Sequence, residues 1–124
     1  MFLINDDKSI YITRGDIATL EINANLSEEE AYVFKVGDLV RLKVFEKKKH
    51  DSVVLVKDTL IESETEIVSI YLYSSDTRIG GIINKPVDYW YEVEINPDTA
   101  PQTIIGYDSD GPKIFRLFPE GDVE

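Results

Sequence analysis

Cysteine is absent from all 124 residues. That excludes disulfides, thiolate nucleophiles and zinc–thiolate sites. Histidine is almost as scarce, since His50 stands alone. A histidine-cluster metal hydrolase is therefore excluded within one chain, and a Ser-His-Asp triad would have to use His50. That residue lies in the lysine-rich connector EKKKHDS (46–52), a setting that does not hold an imidazole in one tautomer. Apolar runs are short, none approaching the roughly 20 residues that span a bilayer. The start, MFLINDDKSI, turns acidic at once and has no basic segment before its apolar residues, so it does not read as a secretory signal. Gly80-Gly81 lacks the following Lys-Ser/Thr of a phosphate loop. Positive charge is also short. The chain carries 13 Lys and Arg against 24 Asp and Glu, a formal charge of −11. Such a surface repels nucleic-acid backbone and anionic lipid. Solubility is the plainer reading of it, and steering toward a basic partner or cation binding the functional one.

What the chain has instead is alternation. IATLEIN (17–23), DLVRLKV (38–44), EIVSIYLY (66–73) and YWYEVEI (89–95) repeat with a period of two residues, which reads as half-buried strands. The pattern predicts Ala18, Leu20 and Ile22 on one buried face, and likewise Val40, Leu42 and Val44. It predicts the same for Val68, Ile70 and Leu72, and for Tyr89, Tyr91, Val93 and Ile95. SIYITR (9–14) and SVVLVKD (52–58) add two more strands, with Gly15-Asp16 as a break between the first and the second. Ser27 and Glu30 have capping-box spacing, so 27–34 starts like a short helix or equally forms a long loop. Ser74 or Ser75 caps one helical turn that Gly80-Gly81 stops. QTIIG (102–106) and IFRLF (114–118) are expected to pair as a hairpin across DSDG (108–111), with Asp110-Gly111 at its tip. The tail, 119–124, is expected to fray. No helical pattern separates the strands, and 43% of the residues are apolar, enough for a core without staples. The expectation is one domain, 1–124, all-β: an immunoglobulin-like antiparallel β-sandwich of seven or eight strands with one or two short helical turns.

The candidate chemistry is thin. Glu92 and Glu94 share a strand face with Trp90, superficially like a glycosidase platform, but any acidic strand puts two carboxylates about 7 Å apart. In a calcium-loop register with Gly111 at the invariant glycine, the position that needs a ligating acid falls on Leu117, and the register fails. Arg14-Gly15-Asp16 is an RGD tripeptide, which suggests integrin recognition, although Gly15 is explained more economically by the strand break. No catalytic, cofactor-binding or metal-ligating residue is assigned, and the chain is expected not to be an enzyme and to need no cofactor.

One resemblance is carried by TRGDIATLEI (13–22), GDLVRLKVFE (37–46), IYLYSSDT (70–77), Tyr89–Ile95, QTIIG and IFRLF, in that order along nearly the whole chain. In these segments the sequence resembles the N-terminal β-sandwich domain of upper-baseplate proteins, minor tail structural proteins of phages and prophages of Gram-positive bacteria. Two departures stand out: EEEAYVF (28–34) replaces a shorter Gly-containing turn, and no fibre or receptor-binding domain is expected after residue 124.

The resemblance implies a virion tail or baseplate protein, made in the bacterial cytoplasm without a signal peptide. It would anchor receptor-binding or fibre proteins, with other tail proteins or a second copy as partners. Arg14, Gly15 and Asp16 would form the family's turn. The strand pattern adds interface candidates Tyr71, Tyr73 and Trp90, which alternate away from the core faces; scattered surface aromatics are the plainer reading. The alternative function is a carbohydrate-binding or adhesin-like module, with the same aromatics lining a glycan groove. Nucleic acid and membrane insertion are not expected.

Overall fold

Eleven strands and one helical turn follow one another along the chain in a computed structural model describing residues 1–27, 29–48, 51–109 and 111–120. In chain order they are β1 (Phe2–Ile4), β2 (Ile10–Thr13), β3 (Ala18–Ile22), β4 (Asn25–Ser27), β5 (Glu30–Ala31), β6 (Leu39–Phe45), β7 (Val53–Leu60), β8 (Val68–Leu72), α1 (Ser74–Thr77), β9 (Val87–Ile95), β10 (Gln102–Ile105) and β11 (Lys113–Phe118). The fold is all-β. Seven strands form one sheet in the order β1-β2-β11-β9-β6-β7, with β10 also on β9; β3 pairs β8, and β4 pairs β5. Every pairing is antiparallel except β2 with β11, which is parallel.

The alternation does what its period dictates. Ala18, Leu20 and Ile22 on β3 and Val68, Ile70 and Leu72 on β8 are buried. So are Val40, Leu42 and Val44 on β6 and all four alternate residues of β9 from Tyr89 to Ile95. With Ile10, Ile12, Phe115 and Leu117 they form one hydrophobic core to which both the large sheet and β3–β8 contribute, a sandwich-like arrangement. The Tyr91 hydroxyl donates to the carbonyl of Lys8, and burial pushes its phenol pKa up. This bond ties β9 to the turn that joins β1 and β2.

Several expectations change. Among the described residues the strands number eleven where seven or eight were expected, and β2 with β11 is a parallel pair in a fold expected to be antiparallel throughout. The capping-box signal at Ser27 does not start a helix: β4 pairs antiparallel with β5, Asn25 opposite Ala31. Beyond it Tyr32 is half-buried, Val33 exposed and Phe34 fully buried. Phe34 bridges Thr65 and meets Tyr32 edge to face at 5.1 Å. A helix would not hold that period-two pull on Tyr32 and Phe34, so tertiary burial overrides the local signal. Nor do β10 and β11 pair with each other. Both lie on the same edge of β9, β10 against Val93–Ile95 and β11 against Val87–Tyr91. They run in one direction like a single strand interrupted by the excursion 106–112. The DSDG signal survives only inside that excursion, as an Asp108–Gly111 bridge with Gly111 at φ 92°; Asp110 lies outside the described residues. α1 forms where the sequence places a turn, but its N-cap is Tyr73 rather than Ser74 or Ser75 and its C-cap is Arg78, ahead of Gly80-Gly81; the Tyr73 N–H donates to Asp76 at 2.8 Å.

If Phe34 is the residue that binds the 25–34 segment into the fold, Phe34→Ala should cost about 3–5 kcal/mol. Urea unfolding should show that loss; a cost below about 1 kcal/mol would mean the segment is peripheral.

Candidate functional site

The two hydroxylated aromatics singled out from the sequence fall together. On β3–β8, Thr19 opposes Tyr71 and Ala18 opposes Leu72, so Ile17 and Tyr73 flank the same end of the ladder. With the inner side chains committed to the core, the outer face presents Ile17 (73% exposed), Tyr73 (62%), Tyr71 (58%) and Ile67 (53%). The result is an apolar cluster at one end of a sheet of only two strands, with Ile67 beyond the Glu21–Ser69 pair. Lys57 reaches its edge: the ammonium lies 4.8 Å from the Tyr73 ring centroid and 2.9 Å from Asp76.

Trp90 does not join them. It stands on the outer face of the large sheet, opposite Phe45 and Ile114, with Lys48 Nζ 5.4 Å from its ring centroid. The hollow beside it, about 130 Å³, is flanked by Tyr107 and Pro112. Its carboxylate neighbour on the same face, Glu94, is held by Lys43 at 3.0 Å rather than left for acid–base work. His50 lies outside the described residues. Among the described residues no cluster of three or more His, Asp or Glu is placed to hold a metal, and Asp108 pairs with Lys113 at 2.7 Å.

Arg14-Gly15-Asp16 is a latch. The Arg14 side chain is 9% exposed, donates to the Gly80 carbonyl at 3.0 Å and meets Glu120 at 3.4 Å. Gly15 N–H donates to Thr77 Oγ1 at 3.0 Å, and that hydroxyl donates on to the Asp16 carbonyl at 2.8 Å. The Asp16 carboxylate accepts from the Met1 amino group at 2.6 Å. An adhesive tripeptide has to present its guanidinium and carboxylate to a partner; here both are engaged, and the turn clamps the β2–β3 crossover to α1. Glu120, in the tail expected to fray, closes the clamp by accepting from Arg78 at 2.7 Å; residues 121–124 lie outside the described ones.

A second clasp sits at the Gly37-Asp38 lead-in to β6. The Asp38 carboxylate accepts from Tyr32 Oη (2.8 Å), Lys35 N (2.9 Å) and Asn96 Nδ2 (3.1 Å). Burial alone would raise its pKa, but these hydrogen bonds outweigh it and hold Asp38 below the usual carboxylate value. Asp58 is lowered too, chiefly by its bidentate hydrogen bonds from Arg41 at 2.7 and 3.0 Å.

No local pattern signals the cleft of about 450 Å³ between the β3–β4 segment and β10; a second hollow of about 420 Å³ lies beside Leu55, Arg78 and Tyr89. Leu20 through Asn25 line one wall and Gln102 through Ile105 the other, with Ile10, Ile95 and Tyr91 beneath. Consecutive residues alternate between sheet faces, so a wall that shows all of them is the edge of a strand. Both edges are open: β3 pairs only with β8, and β10 only with β9. No family model, no curated protein and no solved structure matches the chain.

Gly15 sits at φ +86°, and a Cβ there would meet Arg78 Nη2 at 2.8 Å and Glu120 Oε1 at 3.1 Å. Gly15→Ala should therefore destabilise the fold by about 1–2 kcal/mol from backbone strain alone, read as a lower urea midpoint; an unchanged midpoint would dissolve the latch. The pH dependence has a definite sign. Asp58 is held below its unfolded value, so its contribution is present above the ordinary carboxylate pKa of about 4 and is lost as pH falls through the folded pKa. Stability should drop on acidification below about pH 4, and Asp58→Asn should flatten part of that drop in urea titrations at stepped pH.

Proposed function

We propose that this chain is a non-enzymatic structural module of a phage or prophage tail. At the baseplate it anchors receptor-binding or fibre proteins through the outer face of β3–β8. The observation that carries the reading is the cluster of Ile17, Tyr71 and Tyr73, three large side chains left more than half exposed at one end of that face, with Ile67 beyond the Glu21–Ser69 pair. Contiguous apolar surface of that kind marks protein contacts, and tyrosine is favoured there because it buries a ring while keeping a polar tip. The ordered match of short segments from Thr13 to Phe118 with upper-baseplate domains points to the same class.

The partner surface is basic. All four arginines are already held by carboxylates, and the chain's formal charge is −11. Carboxylates are what the surface has in excess, and opposite charge speeds and orients docking. The glycan-binding alternative is less well supported. Its aromatics are divided between two sheets, and the hollow at Trp90, about 130 Å³, falls below the roughly 300 Å³ at which ligand pockets begin.

Light scattering across a concentration series, alone and with the products of neighbouring genes, tests the proposal. A stoichiometric complex is expected, and Tyr71→Ser with Tyr73→Ser should weaken it about thirtyfold, as loss of aromatic anchors does. Trp90→Ser should leave it unchanged. A strict monomer that ignores those neighbours would overturn the assembly role.

A further inference from the structure

The cleft between β3 and β10 points to a second binding site beside the outer face of β3–β8, with which it shares only Glu21 on β3. We infer that it takes an extended peptide segment of a partner protein, added as a strand to the open edge of β3. Four observations lead there. The cleft walls are two open strand edges, one from each sheet, and unpaired strand N–H and C=O groups are the natural complement of another strand. β3–β8 has two strands, one short of the number that makes a sheet self-sufficient.

The cleft floor is aliphatic, with Leu20, Ile22, Ile10 and Ile95 placed to receive alternate side chains. Its rim carries the carboxamides of Asn23, Asn25 and Gln102, none with a side-chain partner among the described residues, which suits the paired donor and acceptor of a peptide unit. Charge selects further. Glu21 stands on the β3 wall with no ion-pair partner among the described residues, while the lining's lysine, Lys8, lies away from β3 on the β1–β2 turn, and the chain is strongly acidic. The occupant is therefore a strand with Val or Ile at alternate positions and a Lys or Arg between them.

The other long open edge does not qualify. On β7, at the far side of the large sheet, Lys57 opposes the fully buried Leu42 and so points toward the core side, with its ammonium on Asp76. A charge turned inward on an edge strand is a device against strand addition. β3 carries no such guard: its inward residues are Ala18, Leu20 and Ile22.

The test uses the full chain, isotope-labelled, and a pool of acetylated heptapeptides that alternate Val or Ile with Lys and Thr, each at about 1 mM, the weak end of specific affinity. Binding should slow hydrogen exchange of amides in 18–22 and shift resonances of 102–105. N-methylation of the same peptides should abolish both effects. Glu21→Lys, an exposed change that the fold tolerates, should weaken Lys-bearing peptides about tenfold and strengthen their Glu-bearing counterparts by a similar factor. The inference is overturned if no peptide in the pool protects β3, or if N-methylated peptides bind equally well. It is also overturned if chito-oligosaccharides saturate the cleft resonances while peptides leave them unmoved.

Discussion

Everything in the large sheet depends on the backbone ladder of β9. β6 runs along one side of it from Trp90 to Ile95, while β11 and β10 divide the other side between them. Because a buried amide left unpaired costs about as much as a lost hydrogen bond, each stretch of that edge has to be claimed by some strand. That requirement places the excursion 106–112. A hairpin of β10 on β11 would have satisfied those two strands and stripped half of one edge of β9. The ladder of nine residues outweighs the turn signal of four. The outward side chains of β9 confirm its central place, since Asp88 is gripped by Arg116 at 2.6 Å and Glu94 by Lys43 at 3.0 Å. Those pairs lie cross-strand, where opposite charges reinforce the register the core has already set.

The two sheets are unequal, and their edges are treated unequally. β7 is long and rich in valine, the kind of edge that recruits foreign strands, yet Lys57 turns its charge to the core side and Arg41 holds Asp58 on the other. The stability such exposed pairs supply is small. Their effect is to make strand addition at β7 costly, because an incoming strand has to desolvate them. β3 has no equivalent, and the apolar cluster and the cleft both adjoin it. Guarded and unguarded edges thus divide the molecule into a side that resists contact and a side open to it.

How much of this was legible in the sequence follows from range. Alternation is local, so the buried faces of β3, β6, β8 and β9 could be read residue by residue, and so could the single turn of α1. β1 and the β4–β5 hairpin could not. They are two or three residues long, and what makes them strands is a partner elsewhere, not their own pattern. The same limit explains the interface candidates. Period two says that Tyr71, Tyr73 and Trp90 all point outward, but not from which sheet, and the sheets differ. The cleft is the extreme case, because an open edge is defined by the pairing a strand fails to make.

Arg14-Gly15-Asp16 shows why a short motif has to be weighed by its surroundings. Taken alone, the tripeptide offers a guanidinium and a carboxylate two residues apart. In the fold, the left-handed Gly15 turns the chain from β2 in the large sheet to β3 in the small one, at the point where it must cross between layers. The crossover is one of several covalent links between the large sheet and β3–β8, beside the β7–β8 and β8–β9 connections. Arg14 anchors it to Gly80, Thr77 to both Gly15 and Asp16, and Glu120 draws the chain after β11 onto the same point. Three distant segments thus meet at one glycine where no side chain fits. That convergence lets β3 keep one edge open without the small sheet coming away from the core.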